Sequence, residues 1–341
     1  MKRTSLLLIP ILLIALLLCS CNADAQDGIF SAIADSAPDA GIKVHAYLGN
    51  IGDAHYVLTD TGVYCINDPS FSPIKNSEGI HNIEACIINN DIYVRSTSSS
   101  GENKISKYSK EGIKDSSFSE IPNVKKLLVN GAYYTYDTKD KQTIRFLTAG
   151  VTSTHPFSAT EAKTVNTMIE SENYVFVELS DKSYAIFNSK TGAEIFKSPK
   201  DTLNSLPVKG FQAIDASLFL IVQNNNKVYS ITSNSLKETE TQISTISEKD
   251  FHSFHYNAEG KDYIVIKGSS SFTIYEIKKE ASECKLSEVK NPTAPYVNSS
   301  LRKTSVSNIV KKSDTSIIYA TWKNSIWEID PTSTDDPVEI K

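Results

Sequence analysis

Residues 173–197, NYVFVELSDKSYAIFNSKTGAEIFK, decide the fold of this chain. Tyr174, Phe176 and Glu178 alternate with Val175, Val177 and Leu179, which gives the run two faces and a period of two. The polar turn Ser180-Asp181-Lys182 ends it. Tyr184-Ala185-Ile186-Phe187 makes a second run, Asn188-Ser189-Lys190-Thr191-Gly192 a second turn, and Glu194-Ile195-Phe196 a third run. Short runs rich in Val, Ile, Tyr and Phe, separated by Gly, Asn, Asp and Ser, predict an antiparallel meander.

Outward from this stretch the same design recurs about seven times. The first large apolar residue of each second strand is a usable marker: Tyr56, Ile92, Tyr133, Tyr174, Leu218, Tyr263 and Ile317, at intervals of 36, 41, 41, 44, 45 and 54. A period near 40–45 residues with about four short strands is that of β-propeller blades. Fourth strands are poorly marked, near residues 71–74, 117–121, 151–157, 239–244, 284–289 and 337–341. The markers therefore support seven blades, with six or eight left open. One such unit is too small to bury both its faces, and radial packing against neighbours covers them. Leu218-Phe219-Leu220-Ile221-Val222 and Tyr263-Ile264-Val265-Ile266 are apolar on both sides, as strands covered on both faces are. The reading is an all-β chain of seven four-stranded blades, a single β-propeller over residues 42–341.

The N-terminus reads differently. Lys2 and Arg3 precede an apolar run of about 13 residues, short of the roughly 20 that a spanning helix needs, so residues 1–20 read as an export signal. The run ends Leu18-Cys19-Ser20-Cys21, which resembles the bacterial lipobox. Cys21, with Leu18 and Ser20 before it, is the expected site of lipidation; Cys19, preceded by bulky Leu18, fits less well. Residues 21–41, rich in Ala, Asp and Ser, read as a tether. Loss of residues 1–20 removes Lys2 and Arg3 and no acid, so 35 basic residues fall to 33 against 40 acidic, a net charge of −7. That balance gives no general reason to bind nucleic acid or anionic lipid. Cys65, Cys86 and Cys284 cannot all pair within the chain, and Cys65 and Cys86 sit in apolar strands. Free core thiols are favoured over a disulfide, which export would permit.

Residues 184–197, YAIFNSKTGAEIFK, resemble the repeat of pyrroloquinoline-quinone-type propellers, in which an Asp-x-x-Thr-Gly turn follows the third strand and a Trp sits in the fourth. Here Asn188 replaces the Asp and Phe196 the Trp. Residues 60–67, DTGVYCIN, similarly resemble sensor-type propellers. Both resemblances imply a fold and no bound quinone, so no cofactor is expected. A propeller on a lipid anchor also resembles the scaffold of the outer-membrane protein assembly machinery, in fold and address only.

Catalytic signatures are missing: the chain has no HExxH, CxxC, GxSxG, P-loop or EF-hand pattern. His252 and His255 lie three apart in a strand, on opposite faces, so they make no metal pair, and no metal is expected. The longest interval places extra residues at 290–303, KNPTAPYVNSSLRK, where Pro292 and Pro295 forbid a central strand and predict a loop between blades. Loops on one face of a rigid ring carry binding residues, and Tyr296, Arg302 and Trp322 are of the types enriched at interfaces. Trp327 reads as core. The sequence thus points to a lipid-anchored propeller of the bacterial cell envelope, at the outer membrane or on the periplasmic side. It would bind an envelope protein or polymer without chemistry, touch the membrane through its N-terminal lipid, and bind no nucleic acid. The alternative is a propeller-class enzyme, a lyase, lactonase or glycosidase, with polar first-strand residues such as His45, Glu84, Asp215 and His252 at the channel mouth.

Overall fold

A computed structural model describes residues 43–340 except 76–79, 139–140, 148–154, 158–163, 201, 204–205, 233–234, 244–250, 269–270, 281–283, 291, 305, 314–315 and 322–324. Residues 1–42, with the expected export signal, the expected lipidation site Cys21 and the expected tether, lie outside the described residues.

The fold follows from what no single meander can do, which is cover two apolar faces. Seven sheets of four antiparallel strands stand side by side, each in the order first-second-third-fourth. They span residues 44–75, 80–122, 124–157, 165–197, 208–242, 252–288 and 306–340. The first strands are Val44–Ile51, Ile80–Ile88, Val124–Leu127, Val165–Ser171, Val208–Ala213, His252–Ala258 and Val306–Lys311, and they form the inner ring. The last of them lies against the first and closes the circle. All seven second-strand markers fall in second strands.

Blade 4 shows how the alternation works. Val175, Val177, Leu179, Ala185 and Phe187 pack toward blade 3 with Ile144 and Phe146. Phe176, Tyr184 and Ile186 pack toward blade 5 with Phe211, Phe219 and Ile221. The period of two read from the sequence is thus a period between two inter-blade cores. In the turn after Phe187 the Asn188 side chain accepts the amides of Lys190 (3.0 Å) and Thr191 (3.1 Å), and Gly192 takes φ 68°, a left-handed value that suits glycine. Phe196 stacks on Tyr184 with ring centres 5.4 Å apart.

Fourth strands are where the sequence reading slips. Blade 1 ends in Ile74–Lys75, blade 2 in Ile121–Pro122, blade 3 in His155–Phe157, and blade 5 in the longer Ser235–Gln242. These outermost strands have one neighbour and exposed positions, so no apolar pattern marks their ends. Trp327 is half-buried, packed against the blade 6–7 core with its indole N–H donated to Ser325 (3.0 Å). Cys65, Cys86 and Cys284 are buried free thiols, and burial pushes the Cys284 thiol up to about 11.

Among the described residues no strand is exchanged between the last blade and the first. Side chains hold the seam instead. The Tyr47 amide donates to Asn308 Oδ1 (2.9 Å), and Asn308 Nδ2 donates to the Tyr47 carbonyl (3.1 Å), which reproduces one rung of a β-ladder between two sheets.

Candidate functional site

The first strands enclose an axial channel with a cavity of about 630 Å³. Apolar wall residues include Met168, Phe211, Phe251 and Val310, and polar first-strand side chains at or beside the wall form a belt between blades. Glu84 of blade 2 accepts the Leu127 amide of blade 3 (2.8 Å) and pairs with Lys126 (3.1 Å). Glu170 of blade 4 accepts the amides of Val129 (3.1 Å) and Asn130 (2.7 Å) from blade 3. Glu170 is half-buried at the cavity wall, and burial pushes its carboxyl above its ordinary value against the pull of those two amides. Ser171 accepts the Ala213 amide (2.9 Å) and a Gln212 side-chain N–H (3.1 Å), while Ser253 donates to Gln212 Oε1 (2.7 Å). Blades 4, 5 and 6 are joined in this way, and Asn308 does the same for blades 7 and 1.

One end of the channel is crossed by an ion pair. Lys311 of blade 7 reaches Glu172 of blade 4, opposite it in the ring, at 3.5 Å. That end lies on the face formed by the first-to-second and third-to-fourth connections, called here the turn face. Near it His255 Nε2 lies 2.9 Å from Asp262 Oδ1, and Lys279 bridges Asp262 (2.9 Å) and Asp215 (2.7 Å). Burial works to raise the Asp215 carboxyl, but the donors Lys279 and Ser217 outweigh it and hold the group at about 2.

The polar first-strand candidates are therefore dispersed. Glu84 belongs to the belt, Asp215 caps a turn through Ser217 and Leu218, His45 is exposed, and His252 lines the cavity opposite Lys267 in the strand register. Among the described residues no three His, Cys, Asp or Glu side chains gather as metal ligands would.

The opposite face carries the second-to-third turns and the connections between blades, and is called here the connection face. Residues 292–303 lie on it and hold one helical turn, Pro295–Asn298, and a 3-10 turn, Ser300–Lys303. Tyr296 is corrected from contact residue to core residue: it is 1 % exposed, its ring edge-on to Phe272 at 5.5 Å and to Phe254 at 6.0 Å. Tyr296, the residue after Pro295, fills the gap between blades 6 and 7. Arg302 is exposed, and Trp322 lies outside the described residues. Of the two expected binding residues that are described, one ring is buried and one side chain is exposed.

A repeated element of the turn face escaped the sequence reading. Asp68 and Asp115 each accept the amide and hydroxyl of the Ser two residues on, Ser70 and Ser117. The next residue, Phe71 or Phe118, then meets Tyr56 or Tyr93 edge-on, at 5.4 and 5.8 Å. The signal is the pair of segments DPSFS, 68–72, and DSSFS, 115–119. Both are Asx turns that fasten a loop to its own blade.

No family model matches the chain, and no curated protein matches it. Among solved structures it is similar to Hsv2p of Kluyveromyces lactis, at 9% identity over 70% of this chain and 82% of that one, with a TM-score of 0.47. It is similar to the N-terminal domain of Nup159, at 12% identity over 85% and 95% of the two chains, TM-score 0.43. Raptor of Chaetomium thermophilum matches at 13% identity over 88% of this chain and 29% of that chain, TM-score 0.46. Likeness at this level carries no argument about what the protein does.

Proposed function

We propose that this protein is a non-catalytic binding scaffold of the bacterial cell envelope, held at a membrane by lipid on Cys21 and gripping an envelope protein or polymer through loops of the ring. The observation that carries the scaffold reading is the inner belt. Glu84, Glu170, Ser171, Gln212, Ser253 and Asn308 point their hydrogen bonds at neighbouring blades. An enzyme of this architecture needs such groups free to meet a substrate. A ring stiffened from within is a good platform for loops that bind. The lipobox at Leu18–Cys21 supports the anchor and the address.

Two experiments test it. A photo-crosslinking residue at exposed Ser300 on one face and exposed Thr334 on the other is irradiated in intact cells. Capture of a defined partner from one of the two positions is expected; identical products from both, or none, overturn the scaffold. Separately, Cys21→Ser is expected to abolish incorporation of labelled palmitate, and unchanged labelling overturns the anchor.

The enzyme reading keeps one observation in its favour. His255 lines the cavity and is paired with Asp262, an arrangement used for general bases. Turnover of a lactone, glycoside or uronate polymer that is lost in His255→Ala would establish it.

A further inference from the structure

Ion pairs in this ring join neighbours, with one exception. Among the described residues every other pair lies within one blade or links adjacent blades, as Lys126–Glu84 links blades 3 and 2 and Lys279–Asp215 links blades 6 and 5. Lys311 and Glu172 link blades 7 and 4, across the axis. Lys311 is the last residue of its first strand, and Glu172 opens the turn after the first strand of blade 4. The pair therefore stands at the turn-face rim of the channel, and both residues line the cavity of about 630 Å³.

The local chain does not call for a glutamate at 172. Its φ of 52° is a left-handed value that Asn and Gly adopt most readily, as Asn89 and Asn90 do in the corresponding turn of blade 2. Glu259 takes the same φ in the turn of blade 6, where its exposed carboxylate has no ion-pair partner among the described residues. The two turns share a backbone and differ in what the carboxylate meets. The pair at Glu172 is also weak. Its side chains are 33 % and 25 % exposed and 3.5 Å apart, and an exposed pair shifts an equilibrium by about fivefold at most. A contact of that strength closes a mouth without locking it.

We propose that Lys311 and Glu172 form a strap over the turn-face mouth of the channel, and that a solute large enough to fill the cavity enters from that face when the strap parts. A cavity of this volume suits a small organic molecule. The strap makes entry depend on ionic strength, because salt screens a partly exposed pair. The proposal is independent of what the outer loops bind and of lipid on Cys21.

The test places a thiol beneath the strap. Met168 lines the channel on the first strand of blade 4, before Glu172 in the chain and about 13 Å farther in. The full chain with Cys19→Ser, Cys21→Ser and Met168→Cys is labelled with two uncharged thiol reagents, N-ethylmaleimide and the bulkier pyrene maleimide. Cys65, Cys86 and Cys284 are buried, and peptide mapping by mass spectrometry confines the reading to position 168. The ratio of the two rates is the observable, because a change in the acidity of the thiol moves both rates together. At about 0.01 M salt, Glu172→Gln and Lys311→Met are each expected to raise the pyrene rate relative to the ethyl rate by about two- to fivefold, and the double variant no further. Salt at about 1 M should raise the ratio in the parent and leave it unchanged in these variants. Glu259→Gln should keep both the ratio and its salt dependence. Lys311→Arg, which preserves the charge, should keep the low ratio and so separates loss of the pair from misfolding. A ratio indifferent to Glu172 and Lys311, which is also what entry by the opposite mouth would give, overturns the strap. So do equal gains for both reagents.

Discussion

The two faces of this disc are built from the same strands and held by different means. The turn face is fastened by short turns and ion pairs: Asx turns at Asp68 and Asp115, and Lys279 between Asp215 and Asp262. The connection face is fastened by burial. Its longest described connection drives Tyr296 and Leu301 into the core and leaves Arg302 and Lys303 outside. Polar pairing thus holds the described turns of one face, while packing holds the longest described connection of the other.

The comparison breaks first at Tyr296. Tyr296→Ala empties an aromatic site closed on all sides and is expected to lower stability by about 3–5 kcal/mol. Denaturant unfolding measures it. Ile113→Ala, at a 65 % exposed position on the turn face, is the contrast and should change nothing measurable. If the two variants unfold alike, the connection face does not depend on burial.

The seam lies beneath both faces. Asn308→Ala leaves the amide and carbonyl of Tyr47 without their partner, and a loss of about 1–3 kcal/mol is expected. Hydrogen exchange sharpens the result: the Tyr47 amide should exchange faster, ahead of amides in blade 4, because Asn308 is its partner across the seam.

The smallest effect belongs to the turn face. The Asp215 carboxyl is held at about 2, below its ordinary value of 3.8, by Lys279 and Ser217. A group with a depressed folded-state value stabilises the fold above its unfolded value and loses that contribution as pH falls toward the folded one. Stability should therefore decline between about pH 4 and pH 2. Water screens this exposed pair, so Lys279→Ala should remove only a few tenths of a kcal/mol at neutral pH, on the order typical of surface pairs. It should also flatten the acid limb of a melting-temperature profile. An unchanged limb would mean that other carboxylates carry it.

Much of this was legible in advance because it repeats. Tyr56, Ile92 and the other markers recur because each blade must solve the same covering problem, and a pattern dictated by burial is written in residue type. The fourth strands were not legible, since Ile121–Pro122 and Ile74–Lys75 sit at a half-exposed rim that tolerates many residues. Among the binding candidates, Arg302 stays exposed and Tyr296 does not. A tyrosine in a proline-flanked loop looks the same in sequence whether its ring meets solvent or fills a cleft between blades.

The sequence alone determined the class of fold and favoured seven blades while leaving six or eight open, because alternation and spacing are local properties that burial imposes on every unit; the sheet topology decided for seven. Only the tertiary structure decided that Asn308 meets Tyr47 across 261 positions and that Lys311 reaches Glu172 across the channel. Those facts depend on which blades become neighbours or opposites once the ring closes, and closure brings together residues that no interval along the chain relates.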